Sequence, residues 1–330
     1  MANATPDYAG QLNGSGVQDA LFLKVFGGEV ITAFEQSCTM KDRVQMRTIS
    51  SGKSAQFPRY GRISAAYHTP GVEITGLTQN WAEVVITIND LLISNAFIAV
   101  IDEAKTHYDV RAPIAQEIGR ALAYEWDKQL LQIGVVGARS ANPVTGLPGG
   151  AQILTSNSAA PASADFMNNG GHLASALFLA AAQLDNNSVP SEDRYAFVRP
   201  AQYYALASTV NNINKFWGGM GAYSDGTVIR IAGFEIIKTL HLSTSAITAG
   251  TLDAGQSTYG TVTNPYVVDP SATAALCMHK SALATVKLLD LAMESQYDIR
   301  RQGTLMVAKY AVGHGVLRNE ALVEVKNAAS

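Results

Sequence analysis

The sequence predicts an α+β fold, and three observations carry the prediction. Residues 43–92 read as two extended limbs separated by turn formers. Residues 94–136 read as helical, with one apolar stripe at helical spacing. The remainder of the chain mixes short strands, a hairpin and two shorter helices without strict strand–helix alternation. The order is arm, hairpin, long helix, mixed domain and final strands, with no internal repeat.

Residues 1–19 are rich in Gly, Asn, Asp and Gln and carry few apolar groups. Such a segment does not bury enough surface to order itself. Leu21, Phe22, Val25, Val30, Ile31 and Phe34 come next, and Gly27-Gly28 interrupts any continuous helix. This stretch reads as an arm with apolar points. The outgoing limb covers 44–62, and the return limb holds Trp81-Ala82-Glu83-Val84-Val85-Ile86-Thr87-Ile88, rich in β-branched residues. Pro70, Gly71 and Gly76 lie between them as turn formers. A limb of about 18 extended residues spans roughly 50–60 Å. A body of about 250 residues has a radius of gyration near 18 Å. The limbs therefore either overhang their own subunit or fold back on it as a curved sheet.

In the long helix, Ile114, Ile118, Leu122, Trp126, Leu130 and Ile133 recur at intervals of four and then three, one stripe over about six turns. Asp109 suits the cap of its second part, with Pro113 in or near the first turn there, and Gly134 and Gly137 suit its end. Residues 138–170 read as loop. A second helix is expected over 172–184, with Leu173, Leu177, Ala180 and Leu184 on one face, then a strand over 195–199 and a short helix opened by Pro200. Segments 228–231 and 234–237 flank Ala232-Gly233 in the pattern of a hairpin. Residues 243–264 read as a Ser, Thr and Gly-rich loop, 274–278 as a strand, His279-Lys280-Ser281 as a turn or short helix, and 305–310 and 321–325 as extended.

Composition narrows the function. Charged residues make up 15% of the chain, against roughly 25% in an ordinary soluble domain, and 47% is apolar. That balance suits a surface covered by partner subunits. A membrane is not expected to cover it, because no run approaches the ~18 consecutive apolar residues of a spanning helix. The formal net charge of −3 and the dispersed basic residues argue against tight nucleic-acid binding. Cys38 and Cys277 match no metal or redox spacing and read as two buried thiols in a reducing cytoplasm, with a single disulfide between them as the alternative. The N-terminus shows no secretory pattern.

The chemical motifs fail on inspection. Gly52-Lys53-Ser54 resembles the end of a phosphate-binding loop, but the first glycine that motif needs falls on Arg47, and Pro58 prevents a following helix. Gly218-Gly219-Met220-Gly221 lacks the spacing of a dinucleotide fingerprint and reads as a surface loop. His68, His107, His172, His241, His279 and His314 show no metal-pair spacing. No nucleophile elbow or triad pattern is seen, and Glu29, Glu35 and Asp42 read as solvated carboxylates. No catalytic, cofactor-binding or metal-binding residue is assigned, so the expectation is a non-enzyme without cofactor.

The basic, glycine-punctuated segment Ile49-Ser50-Ser51-Gly52-Lys53-Ser54-Ala55-Gln56-Phe57-Pro58-Arg59-Tyr60-Gly61-Arg62 carries a resemblance. So do Ala20-Leu21-Phe22-Leu23-Lys24-Val25-Phe26-Gly27-Gly28-Glu29-Val30, His107-Tyr108-Asp109-Val110-Arg111 and Lys309-Tyr310-Ala311-Val312-Gly313-His314-Gly315, with further matching words at 85–92 and 278–287. Together they resemble the major capsid proteins of short-tailed double-stranded-DNA phages of the podovirus or autographivirus type, built on the HK97 fold. The resemblance covers nearly the whole chain and is weakest at 138–170 and 243–264.

The resemblance implies an N-terminal arm (1–42), an extended β-hairpin loop (43–92) and a peripheral domain with the spine helix (93–171, the helix at 109–136). It further implies an axial domain (172–295) and return strands of the peripheral domain (296–330). It implies self-assembly into an icosahedral shell from pentameric and hexameric capsomers. The implied partners are a scaffolding protein during assembly, a portal protein at one vertex and enclosed genomic DNA held without sequence-specific binding. Assembly would take place in the host cytoplasm. Lys53, Arg59 and Arg62 are expected at contacts between subunits, with Phe57 and Trp81 as apolar anchors. An encapsulin-type nanocompartment shell is the alternative within the same architecture.

Overall fold

A computed structural model describes residues 29–35, 37–88, 91–101, 111–154, 165–209, 230–247 and 266–327. The chain divides into two compact units. One comprises 1–41, 89–126 and 288–312; the other comprises 42–88, 127–287 and 313–330.

In the first unit, residues 29–35 are helical and bury Val30, Ala33 and Phe34. Of the apolar points read as an arm, Val30 and Phe34 thus lie on the buried face of a helix, whereas Ile31 is exposed. Strand β4 (Leu92–Ala99) pairs antiparallel with the start of β11 (Gly303–Val316), from Gly303 opposite Ala99 to Tyr310 opposite Leu92. The expectation of helix from residue 94 is therefore wrong over 94–99. The pairing with β11 satisfies the backbone there, and tertiary context overrides local propensity. The stripe of helix α1 (Arg111–Arg139) is buried at Ile118, Leu122 and Trp126. Phe34, Trp126 and Tyr310 form an aromatic triad, with ring centroids 5.6–6.1 Å apart in edge-on geometry. The Tyr310 hydroxyl donates to the Leu122 carbonyl at 3.2 Å, so its polar end is satisfied inside the core.

The second unit is built on a six-stranded sheet. Its members are β5 (Ala151–Leu154), β6 (Arg194–Val198), β7 (Arg230–Ile231), β8 (Phe234–Lys238), β9 (Thr273–His279) and β12 (Leu322–Lys326), in the order β5-β12-β9-β6-β8-β7. The central strands are apolar on both faces because both are covered: Ala274 to Met278 are fully buried, as are Leu322, Val323 and Val325. Helix α2 (Gly170–Asn186) buries Leu173, Leu177, Ala180 and Leu184, the predicted face. The Asn169 side chain caps it, accepting from the amides of Gly171 and His172. Pro200 opens α3 (Pro200–Ser208), where its missing N–H costs nothing. Ala232 and Gly233 both have positive φ, 52° and 81°, the backbone of a tight hairpin turn joining β7 to β8.

Three further differences have physical reasons. Gly134 and Gly137 do not end α1, which runs on to Arg139. They are glycine because a Cβ would sit 2.7 Å from Leu276 Cδ2 or 2.6 Å from Leu322 Cδ1, so the helix lies close against the sheet. Strand β5 lies inside the predicted 138–170 loop and is held by parallel pairing to β12. The 16-residue strand β10 (Leu283–Asp298) carries no clear sequence signal. Its first four residues are buried and so show no alternation, and β1 (Gln45–Thr48) pairs parallel to them, from Gln45 opposite Ala284 to Thr48 opposite Lys287. Residues 1–28, the Gly218–Gly221 run, most of 243–264, His107 and Asp109 lie outside the described residues.

Candidate assembly surface

Strand alternation decides what the hairpin of β2 (Ser54–Tyr60) and β3 (Trp81–Thr87) presents. On one face Ala55 pairs with Ile86, Phe57 with Val84 and Arg59 with Ala82. Ala55, Ile86 and Arg59 on this face are buried. On the other face Tyr60 pairs with Trp81 and Gln56 with Val85. The Tyr60 and Trp81 rings meet edge to face at 4.8 Å, a cross-strand aromatic pair. Trp81 is nonetheless 68% exposed, and Tyr60 and Val85 are exposed beside it. The apolar content of this face is therefore turned outward.

The hairpin is tied to its own unit at its base, at mid-strand, where Arg47 donates to the Gln56 carbonyl at 3.1 Å, and at its far end. At its base, Ile86 and Thr87 lie against Gly313 and Gly315 of β11. A Cβ on Gly315 would sit 2.6 Å from Ile86 Cγ1, and one on Gly313 would collide with the Thr87 carbonyl. At its far end the Arg59 guanidinium is buried and forked. It donates to Asn319 Oδ1 at 3.1 Å and Glu320 Oε2 at 2.9 Å. Glu320 Oε2 also accepts from Asn142 Nδ2 at 2.9 Å, and Glu320 Oε1 from Arg318 Nε at 2.9 Å. Asn319 Nδ2 donates to the Gly137 carbonyl, so the acceptor is itself held. Burial lowers the Arg59 pKa from its ordinary value, and the Glu320 charge opposes that shift. Next to this, Arg62 donates to the Asn187 carbonyl at 2.6 Å, and Asn80 from the return strand donates to the Thr145 carbonyl at 3.1 Å.

Beyond these anchors every residue from 62 to 78 is exposed. Ile63, Tyr67, Val72, Ile74 and Leu77 are among them, Ile74 at 79%. The two strands are seven residues each, about 23 Å long. The long overhanging limbs considered from sequence are thus shortened. The strands fold back on the unit, and only the tip stands clear. Five large apolar side chains exposed within one short segment mark an interaction surface.

The residues expected at subunit contacts separate accordingly. Lys53 is exposed, as is Trp81. Phe57 is half-buried beneath the Arg47 guanidinium, 5.3 Å from the ring centre. Arg59 departs from the expectation: it is consumed within the chain. Nothing in the sequence marks its partners Asn319, Glu320 and Asn142, although an arginine on the inward face of an alternating strand is a signal that a buried acceptor waits for it.

Four of the histidines serve local structure. His241 Nδ1 lies 2.9 Å from the buried Asp127 carboxylate, His314 Nδ1 bonds the Thr285 hydroxyl at 2.9 Å, His279 bonds Ser281, and His172 accepts from the Asp165 amide. The cysteines are thiols: Cys277 is fully buried, which pushes it up to about 12, and Cys38 is only half-buried, against the expectation for it. Among the described residues no helix is long and apolar enough to cross a membrane.

Comparison with known proteins gives a consistent result. A family model described as "Gp10A-like: Major capsid protein" matches residues 56–326. The major capsid protein of Escherichia phage T7 is 36% identical over 319 residues, covering 92% of this chain and 90% of that protein. That of Enterobacteria phage T3 is 36% identical over 318 residues with the same coverage. Among solved structures, the capsid of cyanophage P-SCSP1u superposes with a TM-score of 0.76 at 42% identity, covering 100% of both chains.

Proposed function

This chain belongs to the Gp10A-like major capsid protein family, and from that premise we propose how its parts build a shell. It is a major capsid protein of a phage head with an HK97-type α+β fold, and the virion shell is where it resides. It works by self-association, without catalysis or cofactor. Residues 1–42 serve as the arm, 43–92 as the extended loop and 93–171 as the peripheral domain, with α1 as its spine. Residues 172–295 form the axial domain, and 296–330 return to the peripheral domain. Axial domains meet in pentameric and hexameric capsomers, and the extended loop lies over a neighbouring subunit. A scaffolding protein attends assembly in the host cytoplasm, a portal occupies one vertex, and the enclosed DNA is held without sequence reading. The formal net charge of −3 suits a container that must release a polyanion.

The observation that carries this reading is the set of exposed apolar side chains at the far end of the hairpin: Tyr60 and Trp81 on the strands, and Ile63, Tyr67, Val72, Ile74 and Leu77 in the segment that joins them. Exposed aromatics and branched aliphatics of this kind are the usual anchors of protein interfaces. The family match favours a phage head over a nanocompartment shell. The test is assembly of the purified chain, alone and with the phage's scaffolding protein, followed by sedimentation and negative-stain microscopy. Closed shells are expected. Persistent monomer at high concentration under both conditions overturns the reading.

A further inference from the structure

The structure assigns to Arg59 a role in assembly that its burial conceals: it is a positioning residue that fixes the direction in which the 62–78 tip leaves the subunit. The inference rests on the shell-building reading above and adds the device that aims the loop.

A two-stranded hairpin is marginal in water and takes its orientation from what it docks against. Here the docking is at the base, at mid-strand, where Arg47 of β1 donates to the Gln56 carbonyl at 3.1 Å and lies over the Phe57 ring, and at the far end. The proximal point is the side-chain-free approach of Gly313 and Gly315 to Ile86 and Thr87. It holds the base of the hairpin, and with Arg47 on the Gln56 carbonyl it leaves the far end to be aimed by what that end docks against. The distal point is the Arg59 fork on Asn319 and Glu320. A planar guanidinium with two donors on two acceptors restrains angle as well as distance, which a single point charge does not. The acceptors are fixed in turn: Glu320 by Asn142 and Arg318, its backbone carbonyl by the Asn187 side chain, and Asn319 by the Gly137 carbonyl. Arg62 on the Asn187 carbonyl and Asn80 on the Thr145 carbonyl brace the same end from both strands. Immediately past this brace every side chain is exposed. A change of a few degrees at the anchor therefore moves the apolar tip by ångströms. A closed shell needs every tip to reach the same place on its neighbour.

The test compares the unaltered chain with Arg59→Lys, which keeps the charge but loses the fork, and with Arg62→Ala, whose exposed side chain makes loss of folding unexpected. Subunit melting, amide exchange over 54–60 and 81–87, and particle morphology well below the melting temperature are measured on each. Arg59→Lys is expected to melt cooperatively, to exchange at least tenfold faster in the two strands, and to give open sheets or shells of mixed diameter. Arg62→Ala should move both readouts in the same direction by less. Uniform, unaltered shells from Arg59→Lys overturn the assignment, whether or not the strands exchange faster. If Arg59→Lys does not fold, unaltered exchange and shells from Arg62→Ala overturn it. Failure of the unaltered chain to form shells in the same preparation overturns instead the reading on which the assignment rests.

Discussion

Arg139 at the end of α1 and Glu324 in β12 meet as a bidentate pair, with Nε and one terminal nitrogen each 2.7 Å from a carboxylate oxygen. The two sides of this pair are unequal. The Glu324 side chain is fully buried and also accepts from the Thr273 hydroxyl, whereas the Arg139 side chain keeps a quarter of its surface in water. Hydrogen bonding to Glu324 raises the Arg139 pKa above its ordinary value. The relationship fixes the C-terminal end of α1 to the sheet of its unit and predicts an asymmetric response to mutation.

Arg139→Ala strands a carboxylate in the interior and should cost about 3–5 kcal/mol. Glu324→Gln leaves a guanidinium that still reaches water and the Asp269 carbonyl, and should cost less. Denaturant melts of both variants check the order. Equal losses would mean that Glu324 is better solvated than its burial implies.

Trp126→Ala should destabilise the first unit by about 3–5 kcal/mol, the range for truncating a buried aromatic. The indole sits edge-on to Phe34 and Tyr310, and both rings lose that contact with it. Thermal melting decides; an unchanged midpoint would contradict the triad.

Much of this was legible in the sequence because the signal was local. The stripe through Ile118, Leu122 and Trp126, the face of α2 and the Ala232-Gly233 turn each arise from spacing or backbone chemistry alone. What escaped was set by distant partners. β4 is a strand because β11 lies beside it, and β5 because β12 does. Gly134 and Gly137 read as a helix end, yet they are small because Leu276 and Leu322 press against them. The anchor was half visible: Arg59 sits on the inward face of an alternating strand, but its acceptors lie about 260 residues away in sequence, where nothing local marks them.

Acid should weaken the fold in a defined window. Burial lowers the pKa of His314 to about 3, with the Asp127 charge opposing, and also lowers that of His279. A histidine whose folded pKa is depressed stays neutral while the unfolded chain takes up a proton. Its stabilisation is complete above the unfolded value of about 6.5 and is lost as pH falls from there towards the folded value. For His314 alone the slope is at most about 1.4 kcal/mol per pH unit. Melts between pH 5 and 6.5, above the ordinary carboxylate range, should show this slope, and His314→Gln should flatten it. A slope unchanged by the substitution would assign the acid sensitivity to other groups.

Replacing residues 63–78 with a short Gly-Ser turn should leave a folded, cooperatively melting subunit that forms no closed shells. The boundaries are set by the contacts. Arg59, Arg62, Gln79 and Asn80 all bond within the unit, so a larger excision from residue 50 to 80 would also remove buried Ala55 and the Arg59 anchor and leave Glu320 without its buried cation. That larger change confounds folding with assembly; the smaller one separates them. Every residue of the tip is exposed, so its loss costs the core little, while Ile63, Tyr67, Val72, Ile74 and Leu77 are the apolar groups a neighbour has most to gain from covering. The expected product is a monomer or small ring by sedimentation, with the unaltered melting midpoint. Normal shells from this variant would show that the tip is dispensable and that assembly draws on other faces. A collapsed melting transition would show that the tip packs on its own body after all.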